Sequence, residues 1–360
     1  MPHDTGPSLV RIFAALLGGA VLVLASGFAL EARMPGDSPN ALLPATEQDR
    51  AVAARLQGHV RALAGPRNLK TGDTLSAALR YVEDTLRGEG LSPRDQPFES
   101  IHGPTRNIEV VLPARRGDTA PIVVLGAHVD TDAHSATPGA DDNASGVAVL
   151  LELARGLAAG SPAALLAEYE VRIVFYANEE PPYFNDTSRG MGSVVHAQSL
   201  LAEKRAVAWM LSIESVGVWS DAPGTQVYPL APLAWFYPDR GNFAAFVGDP
   251  GVRDPLRRLV GAFRAGARVP SVGFAASVTG NDFSDHRSYR QAGFPALMVT
   301  GTANLRGVAP GERVPMGAGF AKHARTVYHT KDDVPEHLNY VAMAQLVEGL
   351  GRMLAQPGVW

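Results

Sequence analysis

The sequence has no cysteine in its 360 residues. Disulfide bonds, thiolate metal sites and a cysteine nucleophile are therefore excluded, and a metal site would have to use His, Asp and Glu. Long blocks of basic residues are also missing, and the formal net charge is -4. We expect no nucleic-acid partner, because binding to a phosphate backbone requires clustered Lys and Arg.

Charged residues are absent from 12–30, IFAALLGGAVLVLASGFAL, which follows Arg11. About 20 apolar residues span a bilayer core, whereas the apolar part of a cleaved signal has about 7–15 residues. The run therefore predicts an uncleaved N-terminal transmembrane helix. Small residues at Ala25 and Gly27 leave a cleaved signal open as an alternative, and a buried helix of a soluble fold is a third.

These observations divide the chain into three parts. We interpret 1–34 as a membrane anchor or signal, 35–45 as a Pro-rich linker and 46–360 as the globular domain. Arg11, ahead of the apolar run, would lie on the cytoplasmic side of a membrane. We therefore expect the domain to be membrane-anchored outside the cytoplasm, in the periplasm or the extracellular space, or secreted if the segment is cleaved.

The globular part begins with two amphipathic patterns, over Glu47–Leu63 and Leu75–Gly88, and then alternates short apolar runs with helical patterns. This alternation predicts an α/β fold with a mixed, largely parallel central sheet flanked by helices. The segment Trp219–Asp249 is rich in Pro, Gly and Tyr and predicts loops. The predicted strands are Asn107–Pro113, Pro121–Asp130, Val171–Asn178, Ala206–Gly217 and Phe294–Gly301, and the later helices are Ser145–Ala158, Met191–Lys204, Asp254–Gly266 and Leu338–Leu354.

Imidazole and carboxylate groups follow several predicted strands or open the next element. In a largely parallel sheet, ligand sites lie at the carboxyl ends of the strands. Histidines with carboxylates and no thiols are typical ligands of zinc or a similar divalent ion. A two-metal site also needs one carboxylate that reaches both ions and a free carboxylate that takes a proton from water. The groups are His128, Asp130, Asp141, Asp142, Glu179, Glu180, Glu214 and His329.

Each of these groups has a simpler interpretation when taken alone. Adjacent residues of a strand point to opposite faces, so Glu179 and Glu180 can serve one site only if the chain turns sharply there. Otherwise they are a solvated pair, His128 is a hydrogen-bonded core residue and Asp142 is the N-cap of the next helix. Their joint occurrence at strand ends favours the metal site.

The order and spacing of HVD, DDNASG, NEE and YHT resemble the co-catalytic di-zinc aminopeptidases. The relatives of this family include bacterial leucyl aminopeptidase, glutamate carboxypeptidase II and the one-zinc glutaminyl cyclases. The resemblance extends from Arg106 to the C-terminus. It implies the zinc exopeptidase fold, two zinc ions per chain and a zinc-dependent peptidase domain at 46–360.

Carried over position by position, the resemblance implies a role for each group. Asp142 would bridge the two ions, Glu180 and His329 would share one of them, and Asp141 would not bind metal. Glu179 would be the general base for a zinc-activated water. The full set of implied metal ligands is His128, Asp142, Glu180, Glu214 and His329.

The resemblance also implies supporting residues around the ligands. Asp130 would orient the ring of His128, and Asp285 and Asp333 would support the site. Tyr328 matches a tyrosine that donates a hydrogen bond to the oxyanion in some relatives, while a core tyrosine is its alternative interpretation. The segment Pro181–Phe184 departs from the family pattern by its two prolines, and it would either line the substrate pocket or form a packed surface loop.

One implied ligand departs from the family pattern, because Glu214 stands where the peptidases usually have Asp. Glutamate is longer by one methylene, and we expect it still to bind metal after a small backbone shift. The expected activity is hydrolysis of N-terminal residues from a peptide substrate. A one-zinc glutaminyl cyclase and a non-catalytic receptor-like domain are the alternatives, and the sequence indicates no oligomeric state.

Overall fold

The structure, a computed structural model, describes residues 33–71, 73–278, 280–315, 321–356 and 358–359. The predicted anchor or signal at 1–34 lies outside these ranges except for its last two residues. Within the described ranges, no helix combines the length and the hydropathy needed to cross a membrane.

Strands of the described ranges form one large sheet and one small pair. The large sheet has the order β1-β2-β4-β3-β5-β8-β6-β7, and β9 pairs with β10. The strands are Arg94–Ser100 (β1), Gly103–Leu112 (β2), Ile122–His128 (β3), Glu170–Tyr176 (β4), Val207–Glu214 (β5), Ala244–Gly248 (β6), Ser271–Ala275 (β7), Ala296–Thr300 (β8), Arg313–Pro315 (β9) and Ala321–His323 (β10).

The sheet is mixed and largely parallel, as the alternation of patterns predicts. The pairs β3/β4, β3/β5, β5/β8 and β6/β7 are parallel, while β1/β2, β2/β4 and β6/β8 are antiparallel. Every residue of β3 and β4 is buried, which is typical of central strands covered on both faces. The predicted fold class is confirmed for the described residues.

Helices cover both faces of the sheet. One face packs against α3, α6 and α8, and the opposite face packs against α5 and α7. The helices are Glu47–Leu63 (α1), Thr74–Gly88 (α2), Gly146–Ala158 (α3), Ala163–Glu168 (α4), Gly192–Glu203 (α5), Arg253–Arg264 (α6), His286–Gln291 (α7) and Tyr340–Leu354 (α8).

The first helix, α1, has the bounds that its periodicity predicts because a capping box fixes its start. Thr46 Oγ1 accepts the N–H of Asp49 at 3.1 Å, and Asp49 Oδ2 accepts the N–H of Thr46 at 2.7 Å. These two bonds satisfy backbone donors that the first helical turn leaves free. The preceding segment, 33–45, contains no helix or strand and packs on α6, whose Arg264 donates to the carbonyl oxygens of Met34 and Gly36 at 3.0 Å each.

The loop prediction for Trp219–Asp249 is wrong at its end, where Ala244–Gly248 forms β6. The surrounding Pro, Gly and Tyr residues mask a short apolar run whose five residues are all buried. Periodicity also does not predict β1, a half-exposed edge strand with the polar sequence RDQPFES. The edge strand β7 escapes prediction because Ser and Gly interrupt its apolar pattern.

Candidate metal centre

Three adjacent strands bring the candidate ligands to one edge of the sheet. The central strand β3 ends at His128, and its two parallel neighbours β4 and β5 end at Tyr176 and Glu214. The residues that follow β4 include both glutamates of the NEE motif. This edge is the carboxyl edge, where parallel sheets hold their ligands.

A sharp turn after β4 directs both adjacent glutamates to the same side. Asn178 adopts φ of 63°, and the N–H groups of Glu179 and Glu180 then donate to Asp130 Oδ1 and Oδ2 at 2.9 and 3.1 Å. Both glutamates consequently line one cavity. Asp130 Oδ1 also lies 3.5 Å from His128 Nδ1, so a single aspartate contacts the imidazole and the turn.

A second aspartate, Asp333, also uses its carboxylate to hold a loop by two successive backbone N–H groups, here in the DDNASG motif. Asp333 Oδ1 and Oδ2 accept the N–H groups of Asp141 and Asp142 at 2.6 and 3.1 Å. The carboxylate of Asp141 accepts the N–H of Gly217 at 2.6 Å and is in neither of the ligand groups described below. Asp142 is the member of the pair that faces the histidines.

Asn143 ties this loop to the end of β5. Its Nδ2 donates to the carbonyl oxygen of Ile213 at 2.9 Å, and its Oδ1 accepts the N–H of Ser215 at 3.1 Å. A Cβ at Gly146 would collide with the Asn143 side chain and with the Ile213 carbonyl oxygen. The glycine of DNASG is therefore required by close packing between loop and strand.

We call His128, Asp142 and Glu214 the inner group. His128 Nε2 lies 3.3 Å from Asp142 Oδ1 and 3.2 Å from Glu214 Oε2. The three residues are 1%, 1% and 5% exposed, so the inner group is shielded from solvent.

We call Asp132, Glu180 and His329 the outer group, to which Asp142 contributes its second oxygen. His329 Nε2 lies 3.0 Å from both Glu180 Oε1 and Asp142 Oδ2. Each residue of the outer group offers one ligand atom, and these three atoms lie within 4.8 Å of one another. Asp142 thus stands between the two histidines, as the resemblance implies for a bridging ligand.

The donor atoms have the separations that a bound cation requires. In tetrahedral coordination with bonds of about 2.0–2.1 Å, two ligand atoms lie roughly 3.3 Å apart. The four N···O distances given above lie between 3.0 and 3.3 Å. Nitrogen and oxygen donors without thiolates suit zinc or a similar divalent ion.

Negative charge is crowded in the centre. Burial and the nearby Asp142 raise the pKa of Glu180 to about 8, and burial raises the pKa of Glu179 well above its ordinary value. Burial disfavours the charged imidazole of His329, but Glu180 and Asp142 raise its pKa to about 11. A divalent cation bound among these carboxylates would offset their negative charge and lower their pKa values.

The side chain of Glu214 is one methylene longer than the aspartate that the resemblance implies at this position. Its carboxylate nevertheless lies beside His128 Nε2. Its position is fixed by Ser215 Oγ, which donates to Oε1 at 2.8 Å, and by Ser284 Oγ, which donates to Oε2 at 2.9 Å. The next residue, Asp285, is fully buried, and burial raises its pKa to about 7. Asp285 does not line the cavity, and its interaction with His128 and Glu214 is electrostatic.

Arg67 lies under both ligand loops and is 3% exposed. Its Nε donates to the carbonyl oxygen of Val129 at 2.8 Å, and its Nη2 donates to that of Gly139 at 2.9 Å. Its Nη1 donates to three more carbonyl oxygens, those of Leu63, Gly65 and Pro138. The buried guanidinium thus joins the strand end of His128 to the loop of Asp142.

Tyr328 stacks on His329 with ring centroids 3.9 Å apart and lines the cavity. Burial and the neighbouring Asp142 raise the pKa of Tyr328 well above its ordinary value. Its hydroxyl is therefore protonated at neutral pH and can donate a hydrogen bond.

The cavity beside the two groups has a volume of about 350 Å³. Of the PPYF segment, Pro181 and Phe184 line it, whereas Tyr183 is buried and its hydroxyl lies 2.7 Å from His102 Nδ1. The segment therefore contributes both to the pocket and to local packing.

Sequence reasoning misses three residues of the centre. Asp132 extends the HVD motif to an alternating HVDTD pattern, and this third position is a signal that could have identified it. Asn143 lies within the DDNASG motif without an assigned role. Arg67 has no local signal, because its partners are backbone carbonyls up to 72 residues away in the sequence.

Comparison with known proteins identifies the family of this chain. The sequence profile of peptidase family M28 matches residues 107–353. The chain belongs to this family. It is 36% identical over 297 residues to the uncharacterized protein YfbL of Escherichia coli K12, covering 80% of this chain and 82% of that protein.

More distant relatives include peptidases of known name. Leucine aminopeptidase 1 of Aspergillus clavatus is 30% identical over 225 residues, which are 61% of this chain and 52% of that protein. The chain thus spans about half the length of that relative. The family and these relatives identify the chain as a metal-dependent peptidase.

Solved structures share the fold. A leucine aminopeptidase precursor of Bacteroides thetaiotaomicron matches with a TM-score of 0.59 at 17% identity, covering 88% of this chain and 99% of that one. The glutaminyl cyclase of Tannerella forsythia matches with a TM-score of 0.57 at 19% identity, covering 87% and 99%. Peptidases and cyclases therefore both adopt this architecture.

Proposed function

We propose that this protein is an aminopeptidase that binds two divalent cations, with zinc as the expected metal. The observation that supports this proposal most strongly is the position of Asp142, whose two oxygens lie 3.3 and 3.0 Å from the Nε2 atoms of His128 and His329. The inner group would hold one cation and the outer group the other, with Asp142 shared between them.

The residues of the metal centre have separate roles in amide hydrolysis. The chemistry that divalent cations would supply here, held by the inner and outer groups, is a lowered pKa for a bound water and polarisation of the substrate carbonyl. Glu179, which lines the cavity and makes no hydrogen bond through its carboxylate to another described residue, accepts the proton of the attacking water. Glu179 then donates this proton to the leaving amine.

Tyr328 provides a protonated hydroxyl at the same cavity. It donates a hydrogen bond to the oxygen of the scissile carbonyl as negative charge develops there. Pro181 and Phe184 limit the space beside Glu180 and help to exclude water from the reacting amide.

The glutaminyl cyclase reaction is the second candidate, because cyclases share the fold over nearly their whole length. Both ligand groups are complete here, which favours two cations over one. The completeness of the groups and the accompanying Glu179 also argue against a non-catalytic receptor-like domain. Peptides with N-terminal glutamine would release pyroglutamate only in the cyclase case.

The proposal also covers the cellular location of the enzyme. An N-terminal anchor at 12–30 would hold the catalytic domain at a membrane, outside the cytoplasm. Fractionation of cells that produce the full chain, before and after a high-salt wash, tests this part. Salt-resistant membrane association is expected, and recovery in the soluble fraction would contradict it.

Glu179→Gln tests the catalytic assignment, since the amide cannot accept the proton. We expect the variant to keep its metal content and to lose at least 1,000-fold in kcat on aminoacyl anilides. General-base catalysis contributes about 10²–10⁴-fold to the rate, and the loss of the oriented water adds to this effect. Glu99→Gln, at an exposed position of β1, is the matched control. Near-normal turnover of Glu179→Gln would overturn the assignment.

A further inference from the structure

We propose that the part of the cavity leading away from the metal centre binds an extended apolar group of the substrate, longer than the side chain of leucine. The substrate class named here, amides of amino acids with long alkyl or aryl side chains, rests on the proposed aminopeptidase function. The binding of the apolar group itself does not, and it is tested separately.

The floor of this part is a row of paired residues across four strands. Glu214 of β5 pairs with Thr300 of β8, Thr300 pairs with Ala245 of β6, and Ala245 pairs with Val272 of β7. Directly paired residues point to the same face of a sheet, and all four line the cavity. The row therefore begins at a candidate metal ligand and ends on the edge strand.

The length of the row exceeds any aliphatic amino-acid side chain. Neighbouring strands lie about 4.8 Å apart, so three spacings place Val272 roughly 14 Å from Glu214. A leucine side chain reaches its methyl groups through three carbon–carbon bonds of about 1.5 Å each. Leucine would fill only the part of the floor nearest the metal centre.

Apolar side chains flank this row on the same face. Val247 pairs with Met298 on one side and with Phe274 on the other, and these residues form a cluster with Phe243 and Ala245. The cluster is separate from the core under α6 and α8. It covers the face of β6, β7 and β8 that turns towards the cavity.

The roof of the cavity is the segment 228–237, which includes the short 3-10 helix Ala231–Trp235. Tyr228, Leu233 and Tyr237 line the cavity from this segment, and Tyr237 Oη donates to the carbonyl oxygen of Gly273 at 3.0 Å. The cavity volume of about 350 Å³ is more than twice the roughly 150 Å³ that suffices for benzene. The space accepts more than one ring-sized group.

The charges of the lining argue against a charged side chain of the substrate. The acidic and imidazole side chains of the cavity belong to the metal centre, and no Lys or Arg of the described residues lines it. An acidic substrate side chain would find no cation there, and a basic one would be desolvated against an apolar floor. An uncharged, extended hydrocarbon group fits best.

The first test measures binding without chemistry. Titration calorimetry on the metal-loaded enzyme would compare ethylamine, butylamine, hexylamine and octylamine, which share one head group. We expect the Kd to fall roughly fourfold for each added methylene that is buried, continuing past butylamine. A Kd that stops improving at butylamine would overturn the proposal.

Ala245→Phe would fill the row one strand beyond Thr300. We expect it to weaken octylamine binding at least 10-fold while leaving ethylamine binding unchanged. Ala234→Phe, an exposed position of the same roof segment that does not line the cavity, is the matched control. Ala245→Leu provides a smaller block if the phenylalanine variant does not fold, and equal losses in the control would overturn the proposal.

The second test uses anilides of leucine, 2-aminooctanoic acid and biphenylalanine, so that alkyl and aryl groups are separated. We expect kcat/KM to be at least 10-fold higher for one of the long substrates than for leucine, and Ala245→Phe to abolish that advantage. Preference for leucine over both would overturn the proposal. Absence of all hydrolysis, together with chain-length-dependent amine binding, would support the pocket and overturn the aminopeptidase function.

Discussion

The inner and outer ligand groups share Asp142 but are built differently. In the inner group, His128 and Glu214 are the last residues of β3 and β5, and their side chains are 1% and 7% exposed. In the outer group, Glu180 and His329 lie on loops, and the His329 side chain is 27% exposed. The sheet fixes the inner group, whereas hydrogen bonds between loops fix the outer one.

The two loops depend on two aspartates that are not ligands. Asp130 accepts the backbone N–H groups of Glu179 and Glu180, and Asp333 accepts those of Asp141 and Asp142. Each carboxylate uses its two oxygens to hold two successive backbone N–H groups. This difference predicts that a cation held by the outer group would exchange more readily than one held by the inner group.

The largest expected effect comes from removing the inner ligand. Glu214→Gln replaces a carboxylate oxygen with a weaker neutral donor, and we expect loss of the inner cation and at least a 100-fold loss of kcat/KM. Metal content and kinetics measured on the same preparation test this. Glu214→Asp is the control, because it retains the carboxylate that the family usually has, and we expect it to keep two cations.

The second largest effect is expected on protein stability, from replacing Arg67, which lies beneath both ligand loops. Arg67→Met leaves the buried carbonyl oxygens of Val129 and Leu63 without a donor, and we expect a loss of about 3–5 kcal/mol in the free energy of unfolding. Urea denaturation of the metal-free protein measures it. Arg80→Met, at an exposed position of α2, is the control, and equal stability of both variants would contradict the role of Arg67.

A smaller effect is expected from the aspartate that holds the outer loop. Asp130→Asn keeps one acceptor oxygen but presents an N–H₂ group to the second N–H of the turn. We expect metal affinity to fall about 10- to 100-fold, with the outer cation lost first during stepwise chelation. Loss of the inner cation first would reverse the order that the comparison predicts.

The smallest effect lies away from the metal centre, where Glu152 of α3 accepts two hydrogen bonds of 2.8 Å from Arg55 of α1. Burial alone would raise the pKa of Glu152, but His59 and Arg55 lower it to about 2. A lowered carboxyl pKa stabilises the fold above the unfolded pKa of about 4.3 and ceases to do so as the pH falls towards 2.

Glu152→Gln should therefore cost about 1–2 kcal/mol of unfolding free energy at pH 6 and nothing near pH 2. Metal affinity at pH 7 should not change, because Glu152 pairs with Arg55, His59 and Arg155 and not with a candidate ligand. Glu168→Gln, which removes an exposed pair with Arg116, is the control and should cost little. A pH-independent difference between Glu152→Gln and the unchanged protein would contradict the pKa argument.

The sequence predicts those parts of the fold that local chemistry determines. Helix α1 has a capping box at Thr46, and β3 and β4 are buried on both faces, so periodicity and apolar runs locate them. The half-exposed β1 has no apolar pattern, and the apolar run of β6 is short and masked by the Pro, Gly and Tyr residues around it, so the partners in the sheet determine both strands. Local signals are weak where pairing is non-local.

The same distinction applies to the candidate site. The ligands can be found because histidines and carboxylates follow apolar strands, and the resemblance then orders them. The role of Asp130 in holding Glu179 and Glu180, and the role of Arg67 beneath the loops, depend on backbone groups that any residue offers. No local sequence pattern predicts these side-chain to backbone hydrogen bonds, and only the folded structure reveals them.

Metal content during stepwise chelation tests the central claim most directly. The full chain, loaded with zinc and freed of excess ion, would be analysed for zinc and for hydrolysis of leucyl anilide as chelator is added. We predict two ions per chain, removal of one before the other, and loss of hydrolysis as they leave. A single ion per chain, or hydrolysis that continues after both ions are removed, would contradict the account.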